Sequence, residues 1–101
     1  MFNMEIGKLE EKAEAASALL SAMANPRRIL ILCNLLGREM NVTELGQRVG
    51  LAQSPLSQHL SKLRGWALVA TRREGQQVYY RIASDDVRRV LETLYAIYCR
   101  D

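Results

Sequence analysis

The chain has 101 residues, enough for one domain around a single core and too few for a second. With 49% hydrophobic and 25% charged residues it has the balance of an ordinary globular protein, not of a disordered or collagen-like one, and no apolar run approaches the roughly 20 residues that cross a bilayer. The net charge of +3 is unevenly spread: from Pro26 to Ile82 nine cations (Arg27, Arg28, Arg38, Arg48, Lys62, Arg64, Arg72, Arg73, Arg81) stand against three acids (Glu39, Glu44, Glu74), while both flanks are acidic. A basic centre suggests a polyanion-facing surface, although charge alone would equally describe a solvated face.

The opening "MFNMEIGKLEEKAEAA" carries acids early and lacks the basic start and apolar centre of a secretory signal. It predicts a cytoplasmic protein with no membrane partner, whose thiols are kept reduced. Ile6, Leu9, Ala13, Ala16, Leu20 and Met23 then recur at spacings of three and four, which predicts one amphipathic helix ending near Asn25. Pro26 suits the first turn of a second helix, because its missing N–H would be an orphan there. "PRRILILCNLLG" runs nearly all apolar to Gly37 and predicts a buried helix. Asn41 and Glu44 have the spacing of a capping box, and Gly50 is a C-terminal stop, so the third helix is short.

A fourth helix follows almost at once, with Leu56, Leu60 and Leu63 on its buried face. Two short helices joined by so tight a turn make a helix-turn-helix over 41–64. "LVATRREGQQVYYRI" then changes to a period of two, with a turn at Glu74-Gly75-Gln76, so 68–82 reads as a β-hairpin wing. Ser84 before Asp85 and Asp86 caps a last helix whose apolar face includes Val87, Val90, Leu91, Leu94, Ile97 and Tyr98. The fold class is therefore mainly α with a small β-hairpin: a winged helix-turn-helix of about five helices and a two-stranded wing.

A helix bearing uncharged hydrogen-bonding side chains flanked by cations suits the major groove of double-stranded DNA. Gln53, Ser54, Ser57 and Gln58 occupy the first turns, nearest the bases, while Lys62 and Arg64 come later for phosphates. On the wing, Arg72, Arg73 and Gln76 are candidates for the DNA backbone or minor groove. His59, the only histidine, fits either a base contact or half-buried scaffold.

"LSAMANPRRILILCNLL", "VTELGQRVGLAQSPLSQHLSKLR" and "LVATRREGQQVYYRI" together resemble the ArsR/SmtB family of dimeric bacterial winged-helix repressors, over nearly the whole chain. The resemblance implies a homodimer joined through the first and last helices (1–24 and 85–101), with two recognition helices entering successive major grooves of a palindromic operator, about 34 Å apart. Leu9, Leu20, Leu91, Leu94, Tyr95 and Tyr98 are the candidate interface residues, since these helices have more apolar positions than so small a core covers.

Two departures from the family pattern concern the reading unit. Ala52 stands where relatives cap the recognition helix with Ser, so Ser54 as cap with Pro55 first is one expected start. Ala67 stands where relatives carry Gly, and the expectation is that Gly65 closes the helix while Trp66 packs under the wing.

Many such regulators sense metals, but here the third helix opens Asn41-Val42-Thr43-Glu44-Leu45 without Cys, and the last helix has no His. Asp85, Asp86 and Glu92 are accounted for by capping and solvation. Neither a metal nor any other cofactor is expected.

Cys33 and Cys99, in "ILCNLL" and "IYCRD", resemble the HlyU, BigR and SqrR group of dithiol sensors, whose two thiols react with reactive sulfur species or oxidants. Read without the resemblance, Cys33 is a small core residue and Cys99 a terminal thiol. An enzyme is not expected: there is no C-x-x-C, and the lone His lies on the recognition helix. The alternatives are a DNA-binding regulator without thiol sensing and a winged helix used for protein contact.

Overall fold

A computed structural model describes residues 5–99 as six helices and three strands. The expected dimerisation segments 1–24 and 85–101 run beyond the described residues at either end. The predicted first helix is two, α1 (Ile6–Glu11) and α2 (Ala13–Met23), broken at Lys12, whose φ of −105° and ψ of 9° leave helical geometry. α1 buries none of its residues, and the core side of α2 is Ala22 and Met23.

Asn25 caps α3 (Pro26–Asn34): its side-chain oxygen accepts from the N–H groups of Arg27 and Arg28. α3 stops at Asn34, short of the predicted Gly37, and is not wholly buried. Ile31 and Leu32 are inside, whereas Leu30 and Cys33 are exposed. An apolar run says that a helix is buried but not on which side.

α4 (Val42–Val49) has the predicted capping box. Asn41 Oδ1 accepts from the Glu44 N–H at 2.9 Å, and Glu44 Oε1 accepts from the Asn41 N–H at 3.0 Å. Gly50 ends it at φ 68°, a left-handed conformation that costs a residue with Cβ about 1–2 kcal/mol. α5 (Gln53–Gly65) follows, with Leu56, Leu60 and Leu63 at most 1% exposed. Burial of each such leucine contributes about 1.5–3 kcal/mol, which holds the helix against the core. The expected late start is overturned: Ala52 is the N-cap, without a side-chain bond, and Ser54 and Pro55 lie inside the first turn. Any Ser54 cap is thus unused, and α5 begins at Gln53.

Gly65 does end α5, but the left-handed residue beyond it is Ala67, at φ 62°. Trp66 does not lie under the wing; it is 47% exposed beside α2 and α3. The wing pairs β2 (Val69–Glu74) with β3 (Gln77–Ile82) in antiparallel register from Val69 with Ile82 to Glu74 with Gln77. Its two-residue turn has a positive φ at Gly75 alone, the sign pattern of a II′ turn. A third strand unforeseen in the sequence, β1 (Met40–Asn41), pairs with Tyr80 and Tyr79, giving the order β1-β3-β2. α6 (Asp85–Tyr98) is capped by Ser84, whose Oγ accepts from the Val87 N–H. Val87 and Leu91 bury against the core; Leu91, at 1% exposure, is a core residue and not part of a free dimer face.

Candidate nucleic-acid interface

With its leucines turned inward, α5 presents the opposite face to solvent. Gln53, Ser54, Ser57, Gln58, Lys62 and Arg64 are all exposed, and Ser54, Gln58 and Lys62 follow one another at intervals of four. Among the described residues none of the Gln53, Ser54, Ser57 or Gln58 side chains is tied up in a hydrogen bond. Their donors and acceptors are free for base edges, with Lys62 and Arg64 in the last turn.

His59 lies apart from that face. It is half-buried, and its Nδ1 is buried without a partner among the described residues. Burial holds its pKa below the usual histidine value, with the charges of Arg28, Lys62 and Arg27 adding to the effect.

The two arginines of β2 differ. Arg72 donates through Nε to Glu39 and through Nη1 to Glu74, each at 2.7 Å, and its guanidinium carbon lies 4.8 Å from the Tyr79 ring centroid. It therefore anchors the wing to the segment before β1, and a phosphate would have to compete with two carboxylates. Arg73, on the opposite face of β2, is exposed and has no ion pair among the described residues; Gln76 is exposed at the tip. Asn41 adds a second anchor, its Nδ2 donating to Gln77 Oε1 at 3.1 Å. Glu39 and Gln77 were absent from the predicted site. The Arg72 and Tyr79 pairing was recoverable, because the two-residue turn fixes them as cross-strand neighbours.

Leu9, Leu20, Tyr95 and Tyr98 are exposed on α1, α2 and α6, together with Ile6 and Ile97; Leu94 is half-buried. Cys33 and Cys99 are both exposed free thiols. Burial around the Cys33 sulfur nonetheless raises its pKa, with the charge of Cys99 adding to the effect. Among the described residues no three His, Cys, Asp or Glu side chains gather into a metal-binding group. No described helix is long and apolar enough to cross a membrane.

Residues 25–71 match the bacterial regulatory protein, arsR family. The chain is similar to the nodulation protein NolR of Rhizobium meliloti, 55% identical over 91 residues that cover 90% of this chain and 75% of that protein. It is also similar to the transcriptional activator HlyU of Vibrio cholerae, 46% identical over 97 residues covering 96% and 90%. The structure of reduced HlyU superposes with a TM-score of 0.86 at 47% identity, covering 92% of this chain and 98% of that one. A homodimeric winged helix-turn-helix DNA-binding domain of Mycobacterium bovis superposes with a TM-score of 0.76 at 31% identity, covering 96% and 89%. With a helix-turn-helix, a wing and relatives of this identity along nine-tenths of its length, the chain belongs to the arsR family and is a DNA-binding transcriptional regulator.

Proposed function

We propose that the protein is a homodimer that binds a palindromic operator as a repressor or antirepressor, and that linking Cys33 to Cys99 lowers its affinity for DNA. Gln53, Ser54, Ser57 and Gln58 read base edges; Lys62, Arg64 and Arg73 hold phosphates; Gln76 approaches the backbone from the wing tip. Arg72 contributes by fixing the wing, and His59 by packing behind the reading face. α1, α2 and α6 form the dimer contact. In support, α1 buries nothing in its own protomer, and the radius of gyration is 15.2 Å, against about 13 Å for a rounded domain of 100 residues.

The observation that carries the thiol switch is the pair itself: two exposed free cysteines, one on α3 and the other at the C-cap of α6. A persulfide R–S–SH transfers its outer sulfur to the Cys33 thiolate, giving Cys33–S–SH and expelling the thiolate RS⁻. Attack by the Cys99 thiolate on the Cys33 sulfur expels hydrosulfide and leaves a Cys33–Cys99 disulfide. The link joins α3 to the end of α6, and a change at the dimer contact shifts both reading helices together.

The test compares affinity for one palindromic promoter fragment among reduced protein, protein treated with glutathione persulfide, and the treated Cys33→Ser variant, with intact mass recorded for each. A bridge that forms and weakens binding by about 5- to 150-fold only when Cys33 is present supports the switch. Equal binding by all three would leave a DNA-binding regulator without a thiol signal, a reading that the raised pKa of Cys33 favours.

A further inference from the structure

Between α2 and the junction of α5 with β2 the surface opens into a groove, with Ala18, Leu19 and Ala22 on one wall and Trp66, Ala67 and Leu68 on the other. Walls separated by a groove do not fix the angle between the elements that carry them. One side chain bridges these elements. Arg28, in the first turn of α3, donates from Nε to the Ala22 carbonyl at 2.6 Å and from Nη2 to the Ser21 carbonyl at 3.2 Å, both in the last turn of α2. The centroid of the Trp66 ring, at the C-cap of α5, lies 5.3 Å from its guanidinium carbon. The Asn25 cap holds the Arg28 backbone in place. The same cation is also felt by His59 on α5.

We infer that Arg28 is a positioning residue for operator recognition: by tying the Ser21 and Ala22 carbonyls to the Trp66 ring it sets the angle of α5 against α2, and with it the half-site spacing that the dimer accepts. The inference rests on the reading above, in which α2 belongs to the dimer contact and α5 to the DNA. Arginine suits the task because its planar, delocalised cation donates in two directions and stacks on an aromatic face at once. The point charge of lysine does not combine the two, so Arg28→Lys is a disruptive substitution here.

The experiment uses duplexes selected by the wild-type protein from a random-sequence pool, then rebuilt as single half-sites and with the central spacer one or two base pairs longer or shorter. Affinities of the wild type, Arg28→Lys and Trp66→Leu are measured on all of them. The wild type is expected to prefer its selected spacing by about tenfold or more, and Arg28→Lys to lose about five- to tenfold of that preference while its half-site affinity holds. Trp66→Leu, which leaves the bonds to α2 in place, should shift the profile the same way by less, and decides the matter if Arg28→Lys does not fold. A merely structural role would weaken half-sites and full sites alike with the spacing profile unchanged, and that outcome overturns the inference. A wild type indifferent to spacing would overturn the dimer reading along with it.

Discussion

His59 shows how one residue on a recognition helix can serve the fold. Burial removes water from its ring and three cations, Arg28, Lys62 and Arg27, stand near it, so protonation is harder in the folded protein than in the unfolded chain. The folded pKa lies below the unfolded value of 6.5, and the unfolded state therefore binds more protons as pH drops past that point. Its contribution to stability is complete above pH 6.5 and is lost as pH falls through the folded pKa. Urea unfolding at pH 7.5 and pH 5.5, for the wild type and His59→Gln, should show the stability difference between the two proteins moving against the wild type at the lower pH. A pH-independent difference would mean that the ring is not shifted. Ala67 carries a different constraint, a left-handed backbone that costs an L-residue about 1–2 kcal/mol, held where the recognition helix turns into the wing.

Among the elements, the wing has part of its positive charge already paired. Glu39 and Glu74 occupy Arg72, so the wing offers the DNA fewer free cations than its sequence contains. Replacing both acids, as Glu39→Gln with Glu74→Gln, should release Arg72 toward a phosphate. It should also steepen the slope of log affinity against log salt by about 0.9, the value for neutralising one more phosphate. An unchanged slope would show that Tyr79 alone holds the guanidinium. The same contrast explains which features are legible in the sequence. The Asn41 and Glu44 box, the Gly50 stop and the Gly75 turn are local signals whose partners lie within a few residues, and the helix-turn-helix and wing follow from them. The pairings of Arg28 with Trp66 and of Arg72 with Glu39 join residues far apart in the chain, and β1 has only two residues, so it acquires meaning only beside β3. The break at Lys12 and the outward face of Cys33 escape for a related reason, since an apolar pattern marks a helix without fixing its ends or its orientation.

At the scale of the molecule, the described protomer is 49 Å long and 22 Å thick, with a helix at one end that buries nothing. Leu9 and Leu20 on the N-terminal helices, and Tyr95 and Tyr98 on α6, are between 50% and 79% exposed, whereas Leu91 on the same α6 is sealed in the core. The last helix therefore has two apolar faces with separate roles. One completes the protomer, and in the proposed homodimer the other meets a second copy, whose matching surface satisfies both at once under twofold symmetry. Leu20→Glu places a charge on that face without touching the core. It should weaken dimerisation by about thirtyfold or more, the equivalent of an interface hot spot of about 2 kcal/mol, with helix content unchanged. Sedimentation across a concentration series reads the constant directly. Leu91→Ala should instead lower the stability of the protomer by about 2–5 kcal/mol, a cavity cost in the core. If Leu20→Glu sediments like the wild type at every concentration, the contact lies elsewhere and the exposed leucines of α1 and α2 need another partner.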